Sequence, residues 1–249
     1  MELLEPYFFL SIAAPRKSGK SYLVTSLLRN GLMKDYDHII IMCPTIEFND
    51  DYVEFEKLKD VTLISNVTKS IISELVLKQE ECQRKTTLSK RKRDYKEDEN
   101  EEICPNTLLI LDDCIDTGVM NFKGVIDQIA ERGRHIKMSA IVISQRISAI
   151  SRSVRLNSDA FIIFSPFSIA ELEQFVDQFV PKLRRKEARI KIHTLFETQY
   201  NFLILDNSMK GIEKLQTSQT KDFLKGKMTP LLQPIAGEDI EYTGKNKKN

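Results

Sequence analysis

The 249-residue sequence is short of several things, and each shortage narrows what the chain can do. It has no excess of either charge: 37 Lys and Arg stand against 36 Asp and Glu, a net charge of +1. No global field draws such a chain onto nucleic acid or a membrane, so any contact of that kind must come from local patches. Its four cysteines, Cys43, Cys82, Cys104 and Cys114, form no C-x-x-C pair, and three of them sit in or beside apolar segments. That pattern reads as free thiols in a reducing compartment. His38, His135 and His193 are scattered and suggest no metal site. No apolar stretch is long enough to span a bilayer, so no membrane association is expected. The opening apolar run carries Glu2 and Glu5 where a secretion signal has basic residues, so it is expected to belong to the fold and the chain is not expected to be secreted. No internal repeat is visible. What is present in ordinary amount is hydrophobic residues, 41%, enough for one sizeable core.

The densest information lies near the start. An apolar run, residues 7–13, leads directly into Ala14, Pro15, Arg16, Lys17, Ser18, Gly19, Lys20 and Ser21. Buried strand, short loop and helix start is the context a phosphate-binding P-loop needs. Backbone N–H groups of residues 14–21 would cradle phosphate oxygens, helped by the positive end of the helix that follows. Lys20 would reach the β- and γ-phosphates and the Ser21 hydroxyl would hold Mg²⁺. Ala14 stands where this motif usually has its first glycine. That is a small loss if the backbone there has negative φ and a larger one if φ is positive.

The rest of the chain alternates apolar runs with amphipathic stretches. Strands are expected at residues 38–43, 61–64, 108–113, 139–145, 159–164 and 201–206, the last of the series. Helices are expected at 20–30, from 69 onward behind an N-cap at Thr68, and at 122–131, 169–179 and 182–195. Such alternation implies an α/β fold with a mostly parallel central sheet flanked by helices. Between 78 and 106 apolar residues thin out into a basic block (Arg84 to Arg93) and an acidic one (Glu97 to Glu102). This stretch reads as a solvated helix extension plus a mobile charged insertion within a domain of residues 1–217. Residues 218–249 read as a loosely ordered tail.

Asp112 and Asp113 close the strand at 108–113, at the end where open α/β sheets bind ligands. Asp112 suits a Mg²⁺–water partner, and Asp113 can orient or deprotonate an attacking water. A further strand is expected between the P-loop strand and this acidic one. Gln145 ends the strand expected to follow. Its carboxamide can donate to a γ-phosphate oxygen and accept from water, which would couple phosphate state to residues 146–155. Arg132 and Arg134 lie just before that strand. A guanidinium there could stabilise charge on a phosphoryl group, on its own subunit or across an interface.

Four blocks, residues 14–21, 108–113, 132–146 and 200–206, together resemble the FtsK–HerA superfamily of P-loop ATPases, and within it the genome-packaging ATPases of large nucleo-cytoplasmic DNA viruses. The most specific is the middle one, Gly133-Arg134-His135 followed by an apolar strand ending Ser144-Gln145-Arg146. The resemblance implies a RecA-like sheet with an additional strand beside the acidic one, ATP with Mg²⁺, and a ring homo-oligomer (pentamer or hexamer) around double-stranded DNA. It implies Lys20 and Ser21 at the phosphates, Asp112 at Mg²⁺, Asp113 as catalytic acid, Gln145 as sensor, and Arg132 or Arg134 acting in trans. A capsid component as docking partner, and a place in the host cytoplasm (a virus factory) or the virion, follow from the same likeness. Because the P-loop strand begins so early, DNA contacts are expected from ring-facing loops, with Arg84 to Arg93, Arg146, Arg152 and Arg155 as candidates. Two other readings stand beside this: a P-loop kinase acting on a small substrate, and a non-catalytic scaffold with a degraded nucleotide site.

Overall fold

The computed structural model of the chain describes residues 4–92, 104–114, 124–165, 168–180, 182–209 and 214–232. The apolar runs become strands β1 (Phe9–Ala13), β2 (His38–Met42), β3 (Val61–Ile64), β4 (Thr107–Asp112), β5 (Met138–Ser144), β6 (Ala160–Phe164) and β7 (Asn201–Asp206), followed by β8 (Leu215–Gln219) and β9 (Thr229–Pro230). They form one sheet in the order β3-β2-β4-β5-β1-β6-β7-β8-β9. The pairs from β3 to β6 are parallel and those from β6 to β9 antiparallel. The α/β, mostly parallel architecture expected from the sequence is therefore present. The strand between β1 and β4 is β5, the one that leads to Gln145, while β2 lies on the outer side of β4.

Strands β1, β4, β5 and β6 are buried along their whole length because both faces of the sheet are covered. On one face, α1 (Lys20–Arg29) lays Leu23, Val24, Leu27 and Leu28 against Leu10, Ile12, Ile141 and Ile162. Each such leucine is worth roughly 2–5 kcal/mol against truncation to alanine. Tyr52 and Phe55, from a 3-10 turn over Asp50–Phe55, and Phe223, from α7 (Thr220–Phe223), join the same face. The opposite face carries α2 (Lys69–Lys92), α3 (Val125–Arg132), α4 (Arg152–Asn157), α5 (Ile169–Phe179) and α6 (Arg185–Glu197), packed on Leu109, Leu111, Val142, Phe161 and Ile163.

Local signals explain most element ends. The Thr68 hydroxyl accepts from the Ile71 N–H and caps α2, as expected. Ser168 and Ser151 cap α5 and α4 in the same manner. The expected helix extension beyond Lys78 is the second half of α2, supported on its surface by the Glu74–Lys78 and Glu81–Lys85 ion pairs. It is less solvated than its composition suggests: Gln79 is buried and donates to the Pro105 carbonyl at 2.6 Å, and Thr86 is buried too. The loop part of the expected insertion, 93–103, lies outside the described residues, as do the first residues of the helix expected at 122–131.

One expectation fails. Residue 206 does not end the sheet, and 218–232 is not a loose tail. Strand β8 pairs with β7 from Leu205↔Leu215 to Asn201↔Gln219, β9 adds a short edge, and Leu215, Phe223, Leu231 and Leu232 are buried. The segment L-Q-T-S-Q carries too few apolar residues to read as a strand, yet pairing with β7, apolar and buried over 202–205, needs only its backbone and one covered face. Residues 233–249 of the expected tail lie outside the described residues. Among the described residues, no helix is long and apolar enough to cross a membrane.

Candidate active site

The loop from Ala14 to Gly19 joins β1 to α1 at the carboxyl end of the parallel strands. It starts with the Ala14 N–H donating to the Ser144 carbonyl at 2.8 Å, which ties it to the end of β5. Ala14 is buried and is not among the residues with positive φ. The left-handed positions fall instead at Lys17 (φ 62°) and Gly19 (φ 95°). The first-glycine position therefore demands no glycine here, and alanine introduces no backbone strain. Gly19 does need to be glycine: its backbone is left-handed, and a Cβ would stand 3.1 Å from Cδ1 of Tyr200. Inside the loop the Ser18 hydroxyl is buried and has no hydrogen-bond partner among the described residues. A buried orphan oxygen among backbone N–H groups is what a loop shaped for an external oxyanion leaves behind.

The two halves of the expected site meet. Lys20 Nζ donates to Asp112 Oδ1 at 2.6 Å, the ammonium mostly and the carboxylate almost wholly buried. The other Asp112 oxygen accepts from the Tyr52 hydroxyl at 3.0 Å. A buried carboxylate is tolerated only when paired and hydrogen-bonded, and Asp112 has both kinds of partner. Burial, and then the adjacent Asp112 charge, push the Tyr52 phenol well above its usual range, so it stays a donor. Asp113 follows in a left-handed conformation, φ 57°, which turns its side chain away from the strand direction. Its Oδ1 accepts from Gln145 Nε2 at 2.7 Å. Two hydrogen-bonded sets, Lys20–Asp112–Tyr52 and Gln145–Asp113, thus meet at the consecutive acids that close β4. Together they can neutralise phosphate charge, position a water and sense its departure.

Cys43 and Cys114 flank Asp112. Burial raises both thiols above their usual range, so they are inert packing groups.

Arg132 and Arg134 are not brought to this site. Arg134 sits in the 3-10 turn Gly133–Ile136 ahead of β5, at the amino end of the strands, and ion-pairs with Asp159. Asp159 in turn accepts from the Phe9 N–H, where β1 begins. Arg132 approaches Glu80 of α2 at 3.9 Å, and both arginines are largely exposed. Neither can serve the nucleotide loop of its own subunit. Arg155 is also placed differently from expectation: its guanidinium turns inward and donates to the carbonyls of Ile147 and Ile150. It braces the segment that follows Gln145 and is not presented to a ligand. On the same segment Ser151 donates to Asp127 of α3 at 2.8 Å.

Two contributions escaped sequence reasoning. Tyr52 gave no motif, since it lies between acidic residues in irregular turns, and only the apolar spacing of Tyr52 and Phe55 hinted at burial. The second is a cleft of about 640 Å³ beside the loop, lined by Lys20, Tyr22, Tyr200, Gln219, Thr220 and Lys221 among others. Three of these belong to the stretch read as tail.

Comparison with known proteins places this geometry in context. The profile of the Poxvirus A32 protein family matches residues 1–222, and the chain belongs to that family. An uncharacterized protein of Acanthamoeba polyphaga mimivirus is 23% identical over 208 residues, which cover 82% of this chain and 68% of that protein. The fold is similar to the DNA-packaging ATPase from Sulfolobus turreted icosahedral virus, with a TM-score of 0.59, 19% identity, and coverage of 87% of this chain and 98% of that one. It is also similar to the genome-packaging NTPase of Sulfolobus turreted icosahedral virus 2 in complex with ATPγS, with a TM-score of 0.55, 21% identity, and coverage of 82% and 94%.

Proposed function

We propose that this member of the Poxvirus A32 protein family is an ATP-hydrolysing motor that drives double-stranded viral DNA into a capsid. The observation that carries the reading is the pair of adjacent contacts, Lys20 with Asp112 and Gln145 with Asp113, at the carboxyl ends of β4 and β5 and next to the loop of residues 14–21. The match to packaging ATPases supports the direction in which the energy is used.

In this reading residues 14–21 hold the triphosphate, with Ser18 Oγ and the loop N–H groups as donors. Lys20 exchanges its contact with Asp112 for the β- and γ-phosphates. Ser21 and Asp112 would hold Mg²⁺, which when bound neutralises phosphate charge and fixes the γ-phosphoryl group. Asp113 accepts a proton from the attacking water while Gln145 orients it. Release of the γ-phosphate takes away an oxygen to which the Gln145 carboxamide would donate, and the braced segment 146–155 carries that change outward.

Arg132 or Arg134, at the far end of the strands, acts on a neighbouring subunit's nucleotide, which calls for a ring of copies (pentamer or hexamer). DNA contacts are made to phosphates by exposed basic side chains, among them Arg84 and Arg152, so they are tolerant of sequence and weakened by salt. A capsid component docks the ring, in a virus factory of the host cytoplasm or in the virion. The strand interposed between β1 and β4 speaks against a small-substrate kinase, and the unstrained Ala14 removes the motive for a degraded scaffold.

Steady-state ATP hydrolysis tests the proposal. Double-stranded DNA at low salt should raise the rate several-fold, and 0.5 M NaCl should abolish the effect. Asp113→Asn should cut hydrolysis by about 10²–10⁴ while ATP still binds, and Lys20→Ala should abolish binding. A rate indifferent to DNA at low salt would sink the motor, and phosphate recovered in a small organic product would favour the kinase.

A further inference from the structure

The cleft next to the P-loop carries an inference of its own, resting on the nucleotide reading above. It opens at Lys20 and Ser21 and runs past Tyr22 to Tyr200 and the Gln219–Lys221 stretch. Its volume, about 640 Å³, suits a nucleoside, and its lining combines aromatic faces with a few polar groups. Tyr200 stands at the turn entering β7 with a left-handed backbone (φ 65°), held against Gly19, with more than half of its surface exposed. A tyrosine ring kept at the P-loop with an open side is a surface on which a planar base can stack.

The polar edge has a fixed sense. Asn201 donates through Nδ2 to the Leu195 carbonyl at 3.1 Å, and a carbonyl can only accept. The Asn201 amide oxygen therefore faces Gln219, and it accepts from Gln219 Nε2 at 2.6 Å. That orientation leaves Gln219 Oε1 and the second Nε2 hydrogen as the groups offered to a ligand. This acceptor and donor together suit the exocyclic amino group and N7 of adenine, whereas guanine presents two acceptors, O6 and N7, on the same edge.

We propose that this cleft is the base subsite of the ATPase, with Tyr200 stacking on the purine and Gln219, oriented by Asn201 and the Leu195 carbonyl, selecting adenine over guanine. The residues that choose the base thus come from β7 and β8, and those that handle the phosphates from the parallel strands.

Calorimetric titration of the full chain separates the two parts, using ATPγS, GTPγS and inorganic tripolyphosphate, each with Mg²⁺. Tyr200→Ala should weaken ATPγS about tenfold and leave tripolyphosphate unchanged, with Tyr200→Phe close to wild type. Tripolyphosphate binding in each variant reports that its P-loop is folded. Gln219→Ala and Asn201→Ala should each shrink the ATPγS-over-GTPγS preference by about fivefold. Equal weakening of ATPγS and tripolyphosphate by Tyr200→Ala, or no effect on either, would overturn the stacking role. An unchanged preference in Gln219→Ala would overturn the selection. A wild-type chain that bound none of the three would refute the nucleotide reading itself, and the subsite with it.

Discussion

The parallel and antiparallel parts of the sheet are built on different terms. Strands β1, β4, β5 and β6 are mostly apolar and buried throughout, each fixed by neighbours on both sides and helices on both faces. At β8 burial fades along the strand from Leu215 toward Gln219, and β9 is two exposed residues. The rigid part ends in the groups expected to act on phosphate, Lys20 with Asp112 and Asp113 with Gln145, where small displacements are costly for chemistry. The antiparallel part adds a cleft wall, where a stacking ring and one oriented amide are enough. On the proposed reading, catalytic precision lies where packing leaves no freedom, and base recognition lies on the antiparallel wing.

If the wing were a mere appendage, loosening it would be cheap. Phe223 contradicts that: it is fully buried, its ring meets Phe202 edge-on at 5.6 Å, and it reaches the same core as α1. Phe223→Ala is expected to cost about 3–5 kcal/mol in chemical denaturation. A loss below about 1 kcal/mol would separate the wing from the domain, given the usual cost of a buried aromatic truncation.

A smaller effect sharpens the other side of the comparison. Tyr52→Phe removes one donor from buried Asp112 without changing the packing volume. It should lower stability by about 1–3 kcal/mol and slow hydrolysis about tenfold, leaving the preference among nucleotide bases intact. A changed base preference would mean that the two parts are not separable in this way.

The smallest effect is expected at Ala14. Because its backbone is already in an ordinary conformation, Ala14→Gly should leave ATP affinity unchanged and destabilise the fold by less than about 1 kcal/mol, through a more flexible unfolded chain. Tighter ATP binding in this variant would show that alanine does strain the loop.

The same division governed what could be read from the sequence. Runs such as Leu108-Leu109-Ile110-Leu111 announce buried parallel strands, and Gly19-Lys20-Ser21 at a helix start announces a phosphate loop, because one-dimensional pattern and three-dimensional role coincide there. The pairing of Gln145 with Asp113 was approachable since both close neighbouring apolar strands. Strand β8 was hidden because its place depends on β7, not on its own composition. The positions of Arg132 and Arg134 were legible in principle: a turn that directly precedes a parallel strand enters its amino end, and the P-loop follows the carboxyl end of β1. Tyr52 was hidden because a hydrogen bond between residues 60 apart leaves no periodic trace.

The most direct measurement is an experimental structure of the assembled protein with Mg²⁺ and a non-hydrolysable ATP analogue. The account predicts the triphosphate along residues 14–21, its terminal phosphate between Lys20 and the Asp113–Gln145 pair, and an arginine, Arg132 or Arg134, arriving from the adjacent subunit. A nucleotide bound elsewhere, or terminal phosphate out of reach of Asp113 with the P-loop filled, would contradict it.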